Sequence, residues 1–135
     1  MRIKRPDKKN ALSIVQAAER DMEFTMTLPL TDAASATIVR NIYESFRMLG
    51  DALLVLKGIS STDHAGPIKE LLTLRIRTTR SIYALDNLRQ LRHNINYSGY
   101  KPTSQEVENA LSLSRDLFRP LVDEIKKLLG PSPLV

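Results

Sequence analysis

The sequence contains no cysteine and no tryptophan, and only 5% of its residues are aromatic. Without cysteine the chain can form neither disulfides nor zinc–thiolate or iron–sulfur sites. Its core must therefore consist mainly of leucine, isoleucine, valine, alanine and methionine. That composition favours helices over a β-sandwich, because strands are enriched in aromatic and β-branched residues.

Long hydrophobic runs are also absent. No stretch approaches the roughly 20 apolar residues of a membrane span. Charged residues interrupt the apolar part of the N-terminal region, which excludes a typical signal peptide. We therefore expect a cytoplasmic protein without membrane association.

Motifs for phosphate loops, dinucleotide binding and serine nucleophiles are missing too, and the five glycines do not cluster. The two histidines, His64 and His93, are far apart, and neither has a partner at metal-ligand spacing on its own helix. We expect no metal and no cofactor. His64, beside Asp63, is interpreted as a loop or cap residue, and its contribution to function stays open.

The 135 residues carry a formal net charge of +5. This charge favours an anionic partner such as RNA or nucleotide, although many soluble proteins are equally basic. The length fits one domain. We divide the chain into a basic N-terminal segment (1–9), one helical domain (10–129) and a C-terminal tail (130–135).

Apolar residues recur at three- and four-residue steps in five segments, which predicts five helices. The first spans residues 10–27. The second, capped by Thr31 or Asp32, ends at Gly58. The third starts at Pro67 and is followed by a break near residues 78–82. The second helix carries the longest apolar stripe, which consists of Ile38, Ile42, Phe46, Leu49, Leu53 and Leu56.

The last two helices have clear end signals. The fourth runs from Ile82 and is closed by Gly99. The fifth starts with a capping box of Thr103 and Glu106, carries an apolar stripe to Leu128, and contains Pro120, where we expect a kink. Together the patterns predict an all-α protein, an up-and-down bundle of four to five helices.

The fourth helix has an unusual polar face. Arg89, Arg92 and Asn96 lie at steps of three and four, so they share one side. His93 lies four residues from both Arg89 and Tyr97. Guanidinium donates bidentate hydrogen bonds to phosphate and histidine titrates near neutral pH, which together suit metal-free phosphodiester cleavage. A solvated helix face with a capped end explains the same pattern.

A second basic cluster, Arg75, Arg77 and Arg80, is expected on the preceding helix. It has two interpretations: a guide for RNA through phosphate contacts, or a hydrated surface.

Three stretches together resemble the HEPN superfamily of small helical bundles. IYESFRMLGDALLVLKGI at 42–59 resembles the long second helix, SSTDHAGPIKEL at 60–71 the following loop and helix start, and RHNINYSGYKP at 92–102 the signature region. The family signature is an arginine, then Asn, Asp or His, and a histidine a few residues later. Arg92 and His93 match its first two positions, whereas Tyr97 stands where the closing histidine is expected.

The resemblance implies a homodimer in which two motifs form a metal-independent ribonuclease site, with Arg92, His93 and Tyr97 as the catalytic candidates. It also implies a toxin–antitoxin pair with a minimal nucleotidyltransferase, in which Tyr97 or Tyr100 is a candidate for adenylylation. A tyrosine with the ordinary pKa of about 10 is a poor general base at neutral pH, so Tyr97 does not simply replace the histidine.

Two functions therefore stay open. One is a non-catalytic helical module that binds a nucleotidyltransferase, another protein or a second copy of itself. In that case Arg92 and Asn96 are expected to bond to helix-end carbonyls or to a carboxylate such as Asp86. The other is binding of RNA or nucleotide phosphate, with or without ribonuclease activity, for which Arg92 must be only partly buried and lie near the Arg92 of a second subunit. The candidate phosphate ligands are Arg75, Arg80, Arg89, Arg92 and Asn96.

Overall fold

The structure is a computed structural model that describes residues 2–3, 5–60 and 65–130. Asp63 and His64, as well as the tail beyond Gly130, lie outside the described residues. The described chain forms an all-α bundle, as predicted, with one addition: a two-residue antiparallel pair of β1 (Arg2–Ile3) and β2 (Ile59–Ser60). The helices are α1 (Lys8–Thr25), α2 (Ser35–Lys57), α3 (Ala65–Leu71), α4 (Ala84–Ser98) and α5 (Ser104–Leu129).

The central element is α2, which packs against each of the other four helices. Its predicted apolar stripe is buried from Ile38 to Leu53, and only Leu56 is partly exposed. The helix ends at Gly58, whose φ of 73° is left-handed, as the sequence predicts. The predicted N-terminal cap is wrong, because α2 begins only at Ser35. Thr31 instead accepts a hydrogen bond from the backbone of Ala34 in the preceding turn, at 3.2 Å.

The close contact between α2 and α3 depends on Gly50. A Cβ atom at this position would lie 2.0 Å from the carbonyl oxygen of Pro67. The missing side chain therefore lets the two backbones approach more closely than any other residue would allow.

The long helix α5 closes the bundle. Its capping box of Thr103 and Glu106 is present, and Pro120 lies inside it. Phe118 packs edge-to-face on Phe46 of α2, with ring centroids 5.5 Å apart. The prediction that the apolar stripe reaches Leu128 is wrong: Leu128 is 48% exposed and Leu129 is buried instead. An α-helix has 3.6 residues per turn, so the residue four positions after the buried Ile125 faces the core as well, and that residue is Leu129.

The segment between α3 and α4 differs most from the prediction. The third helix ends at Leu71, and residues 72–83, here called the strap, are not helical. Arg75, Arg77 and Arg80 therefore do not lie on a helix. Along the strap half-buried and exposed residues alternate, as in Leu74, Arg75, Ile76 and Arg77, which is typical of an extended chain. The β-branched residues near its centre favour this conformation over a helix.

The fourth helix begins at Ala84, two residues later than predicted, and ends at Gly99, which has a φ of 65°. It packs against α2 through its buried residues Leu85, Leu88 and Ile95. No helix in the described part of the chain has the length and apolar character needed to cross a bilayer.

Candidate functional site

Two contacts align α4 with α2. Arg40 Nε donates a hydrogen bond to Asn96 Oδ1 at 2.7 Å, and the Arg92 guanidinium lies over the Tyr43 ring, 5.1 Å from its centroid. Residue numbers rise along α2 as they fall along α4, so the two helices are antiparallel. We call this surface the α2–α4 seam. It consists of Arg40, Tyr43, Arg47, Arg89, Arg92 and Asn96.

Tyr43 forms the apolar base of the seam. Its side chain is 1% exposed, and burial raises the pKa of its hydroxyl. The positive charges of Arg92, Arg47 and Arg89 oppose that rise. Because the phenol stays neutral at physiological pH, its ring offers Arg92 a cation–π surface.

Carboxylates neutralise two of the four arginines in the seam. Arg47 forms ion pairs with Glu44 and Asp51, and its hydrogen bond to Glu44 is the main cause of its raised pKa. Arg89 Nε lies 3.0 Å from an oxygen of Asp86.

The other two seam arginines have no such partner. Within the residues that the structure describes, no carboxylate lies at ion-pair distance from Arg40 or Arg92. Arg92 is half-buried and Arg40 is exposed. The seam therefore combines a half-buried and an exposed guanidinium whose charges the described carboxylates do not compensate.

These positions bear on the two roles expected for Arg92. Its half-burial agrees with the expectation for a phosphate site, while its contact with Tyr43 is equally compatible with a structural role. The expected bond from Arg92 or Asn96 to Asp86 is wrong, since Asp86 is exposed and pairs with Arg89. The side-chain oxygen of Asn96 accepts a hydrogen bond from Arg40. Asn96 therefore orients the Arg40 guanidinium, and its oxygen is already occupied.

Sequence reasoning missed Arg40 and Tyr43. The available signal was their spacing, because Arg40, Tyr43 and Arg47 recur at steps of three and four and so share one face of α2. That spacing shows a shared face but not the helix that packs on it.

His93 and Tyr97 form a separate pair. Their ring centroids are 4.7 Å apart and tilted by 41°, and Tyr97 is 67% exposed. Adjacent residues of an α-helix point about 100° apart, so Arg92 faces α2 while His93 does not. Of the three catalytic candidates, Arg92 therefore contacts Tyr43, whereas His93 and Tyr97 contact each other.

The two tyrosines proposed for modification differ in their surroundings. The Tyr100 hydroxyl donates a hydrogen bond to Glu106 at 2.6 Å, and this bond raises the pKa of Tyr100. The Tyr97 hydroxyl has no hydrogen-bond partner in the described chain.

The second basic cluster does not join the seam as one unit. Arg80 bonds to Asp116 at 3.0 Å and to Ser112 at 2.9 Å, which fastens the strap to α5. Its charge is thereby neutralised. Arg75 remains exposed on the strap, without an ion pair among the residues described.

A groove between α4 and α5 is the other concave feature that sequence reasoning missed. It encloses about 370 Å³ and has Leu88, Leu91 and Leu113 as apolar lining, with Asn87 and Asn109 as polar lining. Arg80 also lines it but is already paired with Asp116.

Among the described residues, no group of three or more histidine, aspartate or glutamate side chains is placed to hold a metal ion. The chain matches no protein-family model, no curated protein and no solved structure. A function for this chain is therefore inferred from the geometry of the α2–α4 seam.

Proposed function

We propose that this chain is a HEPN-like helical protein that binds RNA through its phosphate groups, with Arg92 as the principal ligand. The observation that carries the proposal is the half-buried Arg92, which lies over the Tyr43 ring and has no carboxylate partner among the described residues. A half-buried cation is stable only where a partner or water compensates its lost hydration.

The position of Arg92 over the ring suits this role. The central carbon of the Arg92 guanidinium lies over the Tyr43 ring, and hydrogen bonds to a phosphate would leave from the edge of the guanidinium plane. The ring thus holds the side chain in place and leaves its planar fork of donors for a bidentate contact. The net charge of +5 adds a long-range attraction for a polyanion.

We assign binding, and not cleavage by a single chain, as the main activity. Cleavage needs a general base close to the phosphate that Arg92 holds. His93 points about 100° away from Arg92 on the helix, and Tyr97 packs on His93 and not on Arg92. If His93 is the base of a metal-independent ribonuclease, it must therefore come from a second chain.

The HEPN resemblance adds partners to the proposal. These are a second copy of the chain and a minimal nucleotidyltransferase. Of the two candidate tyrosines, Tyr97 is the better acceptor for adenylylation, because the hydroxyl of Tyr100 is bonded to Glu106. Intact mass measurement after incubation with such an enzyme and ATP, with Tyr97→Phe beside the native chain, tests this part separately.

Fluorescence anisotropy with a labelled dodecamer of uridylate tests the main proposal. The measurements are made in EDTA at low salt, because single-stranded binding through phosphates weakens with salt. We expect Arg92→Ala to bind roughly tenfold more weakly, the effect of one lost charged hydrogen-bond pair. Arg92→Lys should be intermediate, because lysine keeps the charge but loses the planar fork.

Arg20→Ala is the matched control, since Arg20 is exposed on α1 and has no ion pair within the described residues. Arg20→Ala loses the same charge as Arg92→Ala, so a long-range attraction between the protein and RNA would make both variants bind RNA equally weakly. Equal affinities of Arg92→Ala and Arg20→Ala would overturn the proposal. Gel analysis of the same samples, with Tyr97→His added, reports any cleavage.

A second function, a protein-interaction module, is favoured by one surface. The end of α1 and its connection to α2 expose three large apolar side chains: Phe24 by 62%, Met26 by 39% and Leu30 by 55%. Exposed large apolar side chains within seven residues are typical of interaction sites. Light scattering after size exclusion distinguishes this function for self-association: Phe24→Ser should dissociate an oligomer and leave RNA binding unchanged.

A further inference from the structure

We propose that Arg40 is a second phosphate ligand and that the α2–α4 seam binds two successive phosphates of one RNA strand. In this arrangement Asn96 is a positioning residue, which holds the Arg40 side chain. The inference rests on the proposed function and deepens it, because it defines the ligand as a strand with at least two phosphates and not as a mononucleotide.

The charges of the seam identify the two ligands. Glu44 and Asp51 compensate Arg47, and Asp86 compensates Arg89. Arg40 and Arg92 are the seam arginines left without a carboxylate among the residues described. Each can therefore neutralise one phosphate.

The hydrogen bond to Asn96 leaves Arg40 competent to bind. It uses only Nε of the guanidinium, and no described residue accepts a bond from the two terminal nitrogens. These nitrogens form one edge of the planar fork and can donate together to a phosphate. The side chain is exposed, so a strand on the surface reaches it.

The spacing fits adjacent phosphates. Arg92 and Asn96 are four residues apart on α4, which corresponds to about 6 Å along the helix axis. Because Asn96 holds Arg40, the Arg40 guanidinium lies beside a position on α4 about one helical turn from Arg92. Successive phosphates of an extended strand have a similar separation, whereas the single phosphate of a mononucleotide reaches only one of the two arginines.

The chemistry of Asn96 supports a positioning role. Its amide oxygen accepts the bond from Arg40 without adding charge, so Arg40 stays available to an anion. Asp86 makes the same kind of bond to Arg89 but neutralises it. Asn96→Asp should therefore keep the bond, hold or raise the melting temperature, and weaken RNA binding. If Asn96 had only a structural role, its substitution would not raise stability while it weakens RNA binding.

The salt dependence of uridylate dodecamer binding tests the number of phosphates. For single strands, log K falls against log salt concentration with a slope of about −0.7 per phosphate contact, so two contacts predict about −1.4. Arg40→Ala and Arg92→Ala should each reduce the slope to about −0.7 and weaken binding roughly tenfold. Arg20→Ala should keep the native slope.

Competition with small ligands tests the spacing. The dinucleotide pUpU, with two phosphates on one strand, should displace the dodecamer at lower concentration than UMP. Pyrophosphate, whose phosphates share one oxygen, should compete less well than pUpU despite its charge.

The outcomes separate this inference from the proposed function. If Arg92→Ala weakens binding while Arg40→Ala resembles Arg20→Ala, the second ligand is refuted and the proposed function stands. If neither variant differs from Arg20→Ala, the proposed function fails as well. Equal competition by pUpU and UMP would also refute two-phosphate binding.

Discussion

Gly50→Ala should destabilise the bundle through one backbone clash. Alanine in a helix interior is normally more stable than glycine by about 1 kcal/mol, so local propensity alone predicts a gain. Here the new Cβ would lie 2.0 Å from the Pro67 carbonyl oxygen and 2.4 Å from its carbon. Real Cβ atoms essentially never approach below 3.0 Å, so the start of α3 must move away from α2.

The expected magnitude follows from two opposing effects. Overpacking of a close-packed interior costs about 1–3 kcal/mol, and a clash with backbone belongs at the upper end because the carbonyl cannot change rotamer. After the gain in helix propensity the net loss is about 2 kcal/mol. For a chain of this size that loss lowers the melting temperature by roughly 7 °C.

Thermal and urea unfolding followed by circular dichroism measures the effect. Ser13→Ala is the control, because Ser13 is exposed on α1 and the change improves helix propensity without a clash. An unchanged or raised melting temperature for Gly50→Ala would refute the close approach of α2 and α3.

Two further predictions concern charge and the tyrosine hydroxyls. Burial raises the pKa of Glu19, but its bonds to Arg119 and Lys126 outweigh this, so its folded pKa lies below 4.5. The bonds therefore stabilise the protein above that pH and are lost as pH falls through the folded pKa. Glu19→Gln should be less stable by about 1 kcal/mol at pH 7, with a smaller difference at pH 3, in urea unfolding; a constant difference would contradict this. Tyr97→Phe should leave the melting temperature unchanged and Tyr100→Phe should lower it, because only Tyr100 donates to Glu106; equal shifts in one melting experiment would contradict this.

Local signals in the sequence predict the C-terminal ends of α2 and α4 and the start of α5, but not the starts of α2 and α4. Gly58 and Gly99 adopt the left-handed conformation that stops a helix, and Thr103 forms its capping box with Glu106. Each of these depends on residues within one turn of the chain, so spacing alone reveals it. The strap was missed because a sequence such as LTLRIR contains apolar residues that suit both a helix and an extended chain.

The candidate site is less predictable because its contacts are long-range. The polar face of α4 is visible in the sequence, but Arg40 and Asn96 are 56 residues apart. Whether Arg92 lies over Tyr43 depends on how α4 aligns with α2, and that alignment depends on the packing of the whole core. The sequence therefore predicts the arginine but not the ring that holds it.

The geometry of α4 also sets a condition on catalysis. Arg92 and His93 are adjacent in sequence, and on a helix adjacency places their side chains on different faces. Within one chain the guanidinium is at the seam with Tyr43, while the imidazole packs on Tyr97. Within one chain, His93 is therefore not placed to act on a phosphate held by Arg92. If the His93 of a second chain is the base, ribonuclease activity depends on the oligomeric state, whereas the proposed binding uses Arg40 and Arg92 of one chain.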